Sequence, residues 1–410
     1  MPALTSVPRF EPFVGLRYDT SKVDLDDVVA PPYDVLGRGE REELAGRHPA
    51  NIVRVDVPPE SEGPGRYERA ALTLQQWQDD DILRADERPA FTLYRMAFTD
   101  EAGRPRSTVG VIGALEVTRE HAEPADGQGV LPHERTTPKD STDRLELTRA
   151  TGANLSPIWG LSLAPGLTEL LTEPGAPLGS TVDADGVTHT VELVDDPERL
   201  AAIAAAVARH AVLIADGHHR YGVSRQYREE RRAASGGRPG PYDLTMTYLG
   251  ELVEDQLTVA PIHRLLDGLP ADRDWLEVLT PWFDTKPAGP ATPELAASLV
   301  ELDAMAYVEP GGTATLLRPR AERFEGVRNL DSVRLEHALT DVPHVLRYEP
   351  RVASVLAALT GGEAQAAVLV RPVSVAEIER TAREGALMPP KSTFFTPKLR
   401  TGLVVRPFVS

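Results

Sequence analysis

The apolar positions of this chain fall into short runs and spaced stripes, and their periods predict strands alternating with helices. Ala211 to Ala215 is an unbroken small or apolar run, the pattern of a buried parallel strand; it stops at Asp216-Gly217, and the polar stretch to Glu230 predicts a helix. Upstream, Val28-Val29-Ala30 predicts a short strand, closed by Pro31-Pro32, which forbids helix and presents Tyr33 and Asp34 on an extended turn. Residues 38–47 predict a charged helix, 51–57 an alternating strand, and 65–77 a helix burying Tyr67, Ala71, Leu74 and Trp77. Strands are predicted over 90–98, 108–117, 158–163 and 188–193, with helices starting at Leu145 and spanning 197–209. Residues 243–251 and 257–262 predict two more strands, the second delivering His263 at its C-terminal end, where open α/β sheets place ligands.

Composition shifts near Gly268. Beyond it, predicted helices over 293–302, 331–339, 351–359 and 375–383 alternate with strands over 304–308, 313–317 and 366–370, with little concentrated chemistry. The expected architecture is α/β with a mixed sheet: a core over 1–267, a smaller α/β domain over 268–387, and a segment 388–410, ending in a strand over 402–407, that returns to the core site.

With 410 residues the chain exceeds one ordinary core, and 41% hydrophobic with 26% charged residues is globular composition. A net charge of −18 repels phosphate backbones, so no nucleic-acid partner is expected, although a local basic pocket can still capture a small anion. The absence of cysteine removes disulfides, thiolate metal sites and thiol nucleophiles together. No apolar run approaches membrane-spanning length and the first residues lack a signal peptide's basic and apolar regions, so a soluble, cytoplasmic protein with no membrane partner is expected. Only five lysines occur, and three of them, Lys139, Lys391 and Lys398, stand in Pro/Thr/Ser-rich stretches.

The chemistry gathers in a few places. A strand, a Gly turn and a helix point backbone N–H groups at an anion, and here the first helical turn adds His218, His219 and Arg220 behind Gly217. Arg offers a phosphate two parallel donors, and His donates a hydrogen bond or shuttles a proton. Residues 130–144 hold His133, Glu134, Arg135, Lys139 and Arg144, with Pro132 and Pro138 stiffening the backbone around them. The tail places Lys391, Ser392, Thr393 and Lys398 around Phe394-Phe395, a set suited to an anion. Tyr33, Asp34, His133, Arg135, Lys139, Arg144, Asn154 and His263 are the candidate substrate contacts. Adjacent His218 and His219 point apart on a helix, so no metal-ligand set is expected there.

Six motifs in order resemble the bacterial and archaeal family called domain of unknown function 1015. They are Phe10 to Tyr18, Val29 to Val35, Leu131 to Thr136, Asn154 to Ile158, Ala215 to Tyr221 and Pro390 to Leu399. The Asp216-Gly217-His218-His219-Arg220 string is also similar, more distantly, to the phosphate-binding motif of free-serine kinases in the ParB/sulfiredoxin-like superfamily. Sulfiredoxins carry Cys-His-Arg where this chain has His218-His219-Arg220, so sulfinic-acid repair is excluded.

The resemblance implies a ParB/sulfiredoxin-like core and phosphoryl transfer to a small hydroxylated metabolite, free serine being the most economical acceptor. ATP, ADP or pyrophosphate would be the donor, and Mg²⁺ would be bound mostly through phosphates and water. A nucleotide-binding regulatory module and a phosphomonoester hydrolase using His219 as acid are the alternatives. Glu134, Asp34 and Asp216 are candidates for the base. Glu134 is preferred, because His133 and Arg135 flank it and its side chain has the longer reach, whereas Asp216 is better placed to cap the helix or meet Mg²⁺ through water.

Overall fold

A computed structural model of the chain describes residues 8–37, 39–100, 103–118, 129–132, 141–270, 272–384, 388–389 and 391–408. They form two compact units: Met1–Leu257 with Ala382–Gly385 and Pro397–Ser410, and Thr258–Thr381 with Ala386–Thr396.

Unit 1 is built on a nine-stranded mixed sheet. Its order is Val130–Pro132, Val212–Asp216, Ile158–Ser162, Leu244–Glu251, Pro105–Glu116, Phe91–Thr99, Thr188–Val194 and Ala176–Val182, with Phe10–Glu11 added alongside Pro105–Glu116. Val212–Asp216 runs parallel to Val130–Pro132 but antiparallel to Ile158–Ser162. It is therefore a parallel strand on one edge only, unlike the all-parallel surroundings its apolar run suggests. Phe91, Leu93, Val111, Val212 and Leu249 make up the buried face of the sheet with Ile203, Ala206 and Val207. Those last three come from helix Pro197–Val207, which starts where the Asp196 side chain accepts from Arg199 N and Pro197 occupies the first turn. A Cβ on Gly110 would come within 2.3 Å of the Tyr248 ring, so glycine is what lets that aromatic ring lie against its neighbouring strand.

Unit 2 is a six-stranded antiparallel sheet ordered Phe283–Pro290, Thr313–Pro319, Met305–Val308, Ala366–Leu369, His263–Asp267 and Val345–Glu349. Helices Pro293–Leu302, Asp331–Ala338, Val352–Thr360 and Val375–Arg383 accompany it. Its two cores centre on Phe283, Leu317 and Leu335, and on Leu299, Val355 and Leu369. The division falls at Thr258 rather than near Gly268, because His263–Asp267 is hydrogen-bonded inside this second sheet. Among the described residues no helix is long and apolar enough to cross a membrane.

Several local expectations are overturned. Val28 ends a helix, Leu25–Val28, capped by Asp24, and Ala30 makes only an isolated bridge to Thr401. The expected strand over 51–57 contains a helix, Val53–Asp56, whose Val53 N–H is bonded to Asn51 Oδ1 at 3.0 Å. Asn51, Ile52, Val53 and Val55 are all completely buried, so the alternation there does not mark an exposed face. In helix Arg66–Asp79 the buried stripe is Ala70, Leu74 and Trp77, without Tyr67 or Ala71. The expected strand over 257–262 is the short Thr258–Ala260, and His263 opens the next strand instead of closing this one. The expected strand over 402–407 reduces to Arg406–Pro407 with single bridges at Thr401 and Val405.

Candidate active site

At the end of the central strand the pairing with Ile158–Ser162 slips between Ile214 and Asp216, a bulge that re-aims the last residue. Gly217 then turns the chain with φ +84 and ψ 29, the left-handed conformation, and His218–Ala234 follows as a helix. Two demands make glycine necessary here. A side chain would be strained at that φ, and a Cβ would lie 3.0 Å from Cζ, Nε and one terminal nitrogen of the Arg220 guanidinium, which folds back over the turn. Helix N-terminal amides have no acceptor within the helix. Gly217 supplies no side-chain cap and the first turn carries no acidic residue, so the end keeps its attraction for an anion.

Asp216 ties the charges together. Lys398 Nζ donates to its Oδ1 at 2.7 Å and an Arg220 terminal nitrogen donates to its Oδ2 at 2.9 Å, while the other Arg220 terminal nitrogen donates to the Pro157 carbonyl. The Arg220 side chain is 10% exposed, Lys398 16% and Asp216 23%, so these are interior contacts and not surface pairs. Burial alone would raise the Asp216 carboxyl; the Lys398 and Arg220 charges outweigh it and hold the group well below the usual carboxylate range. With its pKa so depressed, Asp216 is a poor proton acceptor. Arg220 Nε is buried with no partner.

Behind this turn a cleft of about 440 Å³, its open mouth included, is lined by Asp56, Arg144, Asn154, Ser156, Arg220 and Ser224 among others. Arg144 projects from helix Ser141–Thr151. Its Nε and one terminal nitrogen donate to Asp143 Oδ2 at 3.0 and 2.7 Å, the other terminal nitrogen donates to the Asp56 carbonyl and carboxylate at 2.6 and 3.2 Å, and its guanidinium lies 4.3 Å from the Tyr33 ring centre. Burial pushes the Tyr33 phenol up to about 12 against the opposing charge of Arg220. Burial likewise raises the Asp56 carboxyl, Arg144 notwithstanding. For Arg220 burial works against the charge, and Asp34 followed by Asp216 outweighs it. Asp34 is itself solvent-exposed on the one-turn helix Tyr33–Val35.

Tyr33, Asp34, Arg144, Asn154, Asp216, Gly217, Arg220 and Lys398 are thus gathered in unit 1, with His218 and His219 half-buried on the first turn. Asn154 Oδ1 accepts from Met246 N and Arg406, so that end of the amide braces the cleft wall. His133, Glu134, Arg135 and Lys139 lie outside the described residues. Lys391, Ser392 and Thr393 belong to unit 2, where the Ser392 hydroxyl donates to the Pro389 carbonyl. His263 is also in unit 2: it is 1% exposed, its Nδ1 accepts from Val370 N, and burial followed by Arg264 lowers it to about 4. That is a neutral core histidine. Asp56 and Asp143, which hold Arg144, escape a reading of motifs. Asp56 has one sequence signal, a carboxylate inside the apolar run 51–57.

The fold and this site define a mixed α/β protein with a buried cation cluster at a strand–glycine–helix junction. Residues 10–333 match the family described as protein of unknown function (DUF1015), and the chain belongs to that family. No curated protein matches the sequence. Among solved structures it is similar to a conserved hypothetical protein from Pyrococcus furiosus, at 13% identity, TM-score 0.34, covering 65% of this chain and 87% of that one. A free serine kinase in complex with AMP is similar at 14% identity, TM-score 0.35, covering 67% and 88%. SbnI with a C-terminal truncation, from Staphylococcus aureus, is similar at 14% identity, TM-score 0.36, covering 72% and 87%. Superposition this loose bears on neither the activity nor the ligands of this chain.

Proposed function

We propose that unit 1 is a phosphotransferase, moving a phosphoryl group from ATP, ADP or pyrophosphate to the hydroxyl of a small metabolite, with free serine as the economical acceptor. One observation carries the reading: Arg220 and Lys398, two largely buried cations, are held together by Asp216 at an uncapped helix N-terminus. Phosphoryl transfer asks a protein mainly for positioning and for compensation of oxygen charge, and this cluster is suited to both. Asp216 keeps the two cations from repelling each other before the donor arrives. The donor phosphates then share those cations with it and meet the amides of residues 218–220, with His219 supplying a hydrogen bond or proton to the departing oxygen.

In the transfer the acceptor oxygen forms the new P–O bond, the bridging P–O bond of the donor breaks, and the hydroxyl proton passes to a carboxylate. Asp34, exposed and felt most strongly of all carboxylates by Arg220, suits that role among the described residues; Glu134 is the alternative. Among the described residues no three His, Asp or Glu side chains gather around a metal position, and Asp216 is taken up by cations. Mg²⁺ arriving with the donor would be held mostly by phosphate oxygens and water, and no step here runs through it.

The test is ³¹P NMR of the full chain incubated with each donor, with and without L-serine. Phosphoserine formed at the expense of donor supports the reading. Nucleotide binding without turnover would make the protein a regulatory module, and phosphate release independent of acceptor a hydrolase. Asp34→Asn and Glu134→Gln then separate the two bases: loss of the true one costs about 10²–10⁴-fold in turnover.

A further inference from the structure

A second polar assembly lies in unit 1, apart from the cations around Asp216. Tyr94 and His189 are completely buried on neighbouring strands. The Tyr94 hydroxyl is 2.8 Å from His189 Nδ1, and His189 Nε2 is 3.0 Å from Asp183 Oδ2. The backbone N–H of Arg400 donates to the Tyr94 hydroxyl at 2.9 Å, so the chain runs from the Asp183 carboxylate through His189 and Tyr94 to the main chain. Asp183 is further held by the N–H groups of Asp185 and Val187. Three side chains and two backbone amides are therefore spent on locking the main chain at Arg400.

The side chain of that residue is treated in the opposite way. Arg400 Nε is buried with no hydrogen-bond partner, and its guanidinium makes no ion pair with any described residue. The charges that act on it are those of Tyr94, Asp183, Glu40 and Arg47. Asp183 is occupied by His189, and Glu40 by Gly37 N–H. Arg400 is half-buried, and an Nε–H left unmet in the interior is costly enough to call for a partner. A pinned backbone bearing a guanidinium whose Nε has no partner among the described residues is the arrangement of a receptor, where rigidity is supplied in advance and hydrogen-bond capacity is kept for the ligand.

We infer that Arg400 is the receptor of a second anion site, which takes the carboxylate of a small hydroxy acid or amino acid. The planar fork of arginine matches a carboxylate through two parallel hydrogen bonds. Fixed charge selects among anions: Asp183, Glu40 and Arg47 all act on Arg400 and together with it sum to near neutral, so a monoanion is accommodated and a phosphate dianion is opposed by two carboxylates. Lys398, which meets Asp216, precedes Arg400 by two residues, a span of at most about 7 Å along the chain. An acid bound at Arg400 is thus within molecular reach of the proposed phosphate site, and only this last step, the acid as phosphoryl acceptor, rests on the phosphotransferase reading.

The experiment is an NMR titration of the full chain labelled with ¹⁵N-arginine, using sodium glycerate, with glycerol and inorganic phosphate as the comparison solutes. The Arg400 Nε–H signal is assigned from its absence in Arg400→Lys. Glycerate should shift that signal saturably, glycerol should leave it in place, and phosphate should move it at least tenfold less effectively. Arg400→Gln should weaken glycerate binding at least tenfold, while Lys398→Met should leave it within twofold. A signal that answers to glycerol as to glycerate, or to neither, overturns the assignment, and so does tighter binding of phosphate than of glycerate. Should Arg400→Gln not fold, the wild-type titration decides alone. Glycerate binding in a protein that fails to transfer phosphate would retain the Arg400 site and remove the phosphotransferase reading.

Discussion

Replacing Gly217 by alanine tests the turn that the whole site hangs on. The left-handed conformation at φ +84 costs an L-residue about 1–2 kcal/mol. The new methyl also stands 3.0 Å from three atoms of the Arg220 guanidinium, which must give by a few tenths of an ångström while bonded to Asp216 and Pro157. Weakening one charge-assisted hydrogen bond adds about 0.5–1 kcal/mol, a fraction of its usual worth. Gly217→Ala should therefore destabilise unit 1 by roughly 1.5–3 kcal/mol. Five residues on, Gly222 sits inside the helix with open space where a Cβ would stand, so Gly222→Ala should stabilise by about 0.5–1 kcal/mol. Urea unfolding is the assay, with Trp159, paired in register with Asp216, as a local fluorophore. In an Arg220→Ala background the cost of Gly217→Ala should fall to the conformational part alone. A cost below about 0.5 kcal/mol, or one unchanged without Arg220, would refute the account.

Three further outcomes are expected. Asp216→Asn leaves Arg220 and Lys398 facing each other without their counter-charge, and should cost about 2–3 kcal/mol at neutral pH, the buried-pair penalty reduced for partial exposure; because the folded Asp216 pKa is depressed, the difference from wild type should shrink as pH falls below about 4, measured by denaturation at each pH. His263, lowered to about 4, stabilises unit 2 fully above pH 6.5 and loses that contribution as pH falls from 6.5 toward 4, up to about 2–3 kcal/mol, so His263→Gln should flatten the acid limb of the stability profile. Arg144→Lys keeps the charge but gives up the fork on Asp143 and the stack on Tyr33; donor binding measured calorimetrically should weaken by about 1–2 kcal/mol, and an unchanged affinity would show that Arg144 does not shape the cleft.

What sequence reasoning recovers here follows from where periodicity and punctuation coincide. Helix Pro293–Leu302 is legible to the residue, since Thr292 caps it, Pro293 opens it and an apolar stripe fills it. The central strand, its glycine turn and the following helix are legible for the same reason. Strand Phe283–Pro290 is hidden because Pro287, Gly289 and Pro290 break its pattern; it lies at a sheet edge, where prolines are tolerated. Helix Val53–Asp56 is hidden because Val53, Val55 and Asp56 are all buried and only Arg54 is exposed, which leaves no helical stripe to read. The pairing of Asp216 with Lys398, 182 residues away, and the chain from Asp183 to Arg400 are set by tertiary packing alone. No local pattern encodes which carboxylate a lysine will meet.

Unit 1 is discontinuous in the chain: roughly 140 residues separate Leu257 from Pro397, and the segment that follows carries Lys398 and Arg400. During synthesis the nine-stranded sheet therefore emerges with Asp216 and Tyr94 still lacking the groups that later meet them. At about 5–20 residues per second the wait is on the order of ten seconds, far longer than a sheet takes to collapse. The nascent protein passes through a state in which the scaffold exists and the cation cluster does not. The cation cluster is completed last, by a segment made after a whole second unit, and that segment also brings Leu399, Leu403, Val404 and Val405 into the buried core.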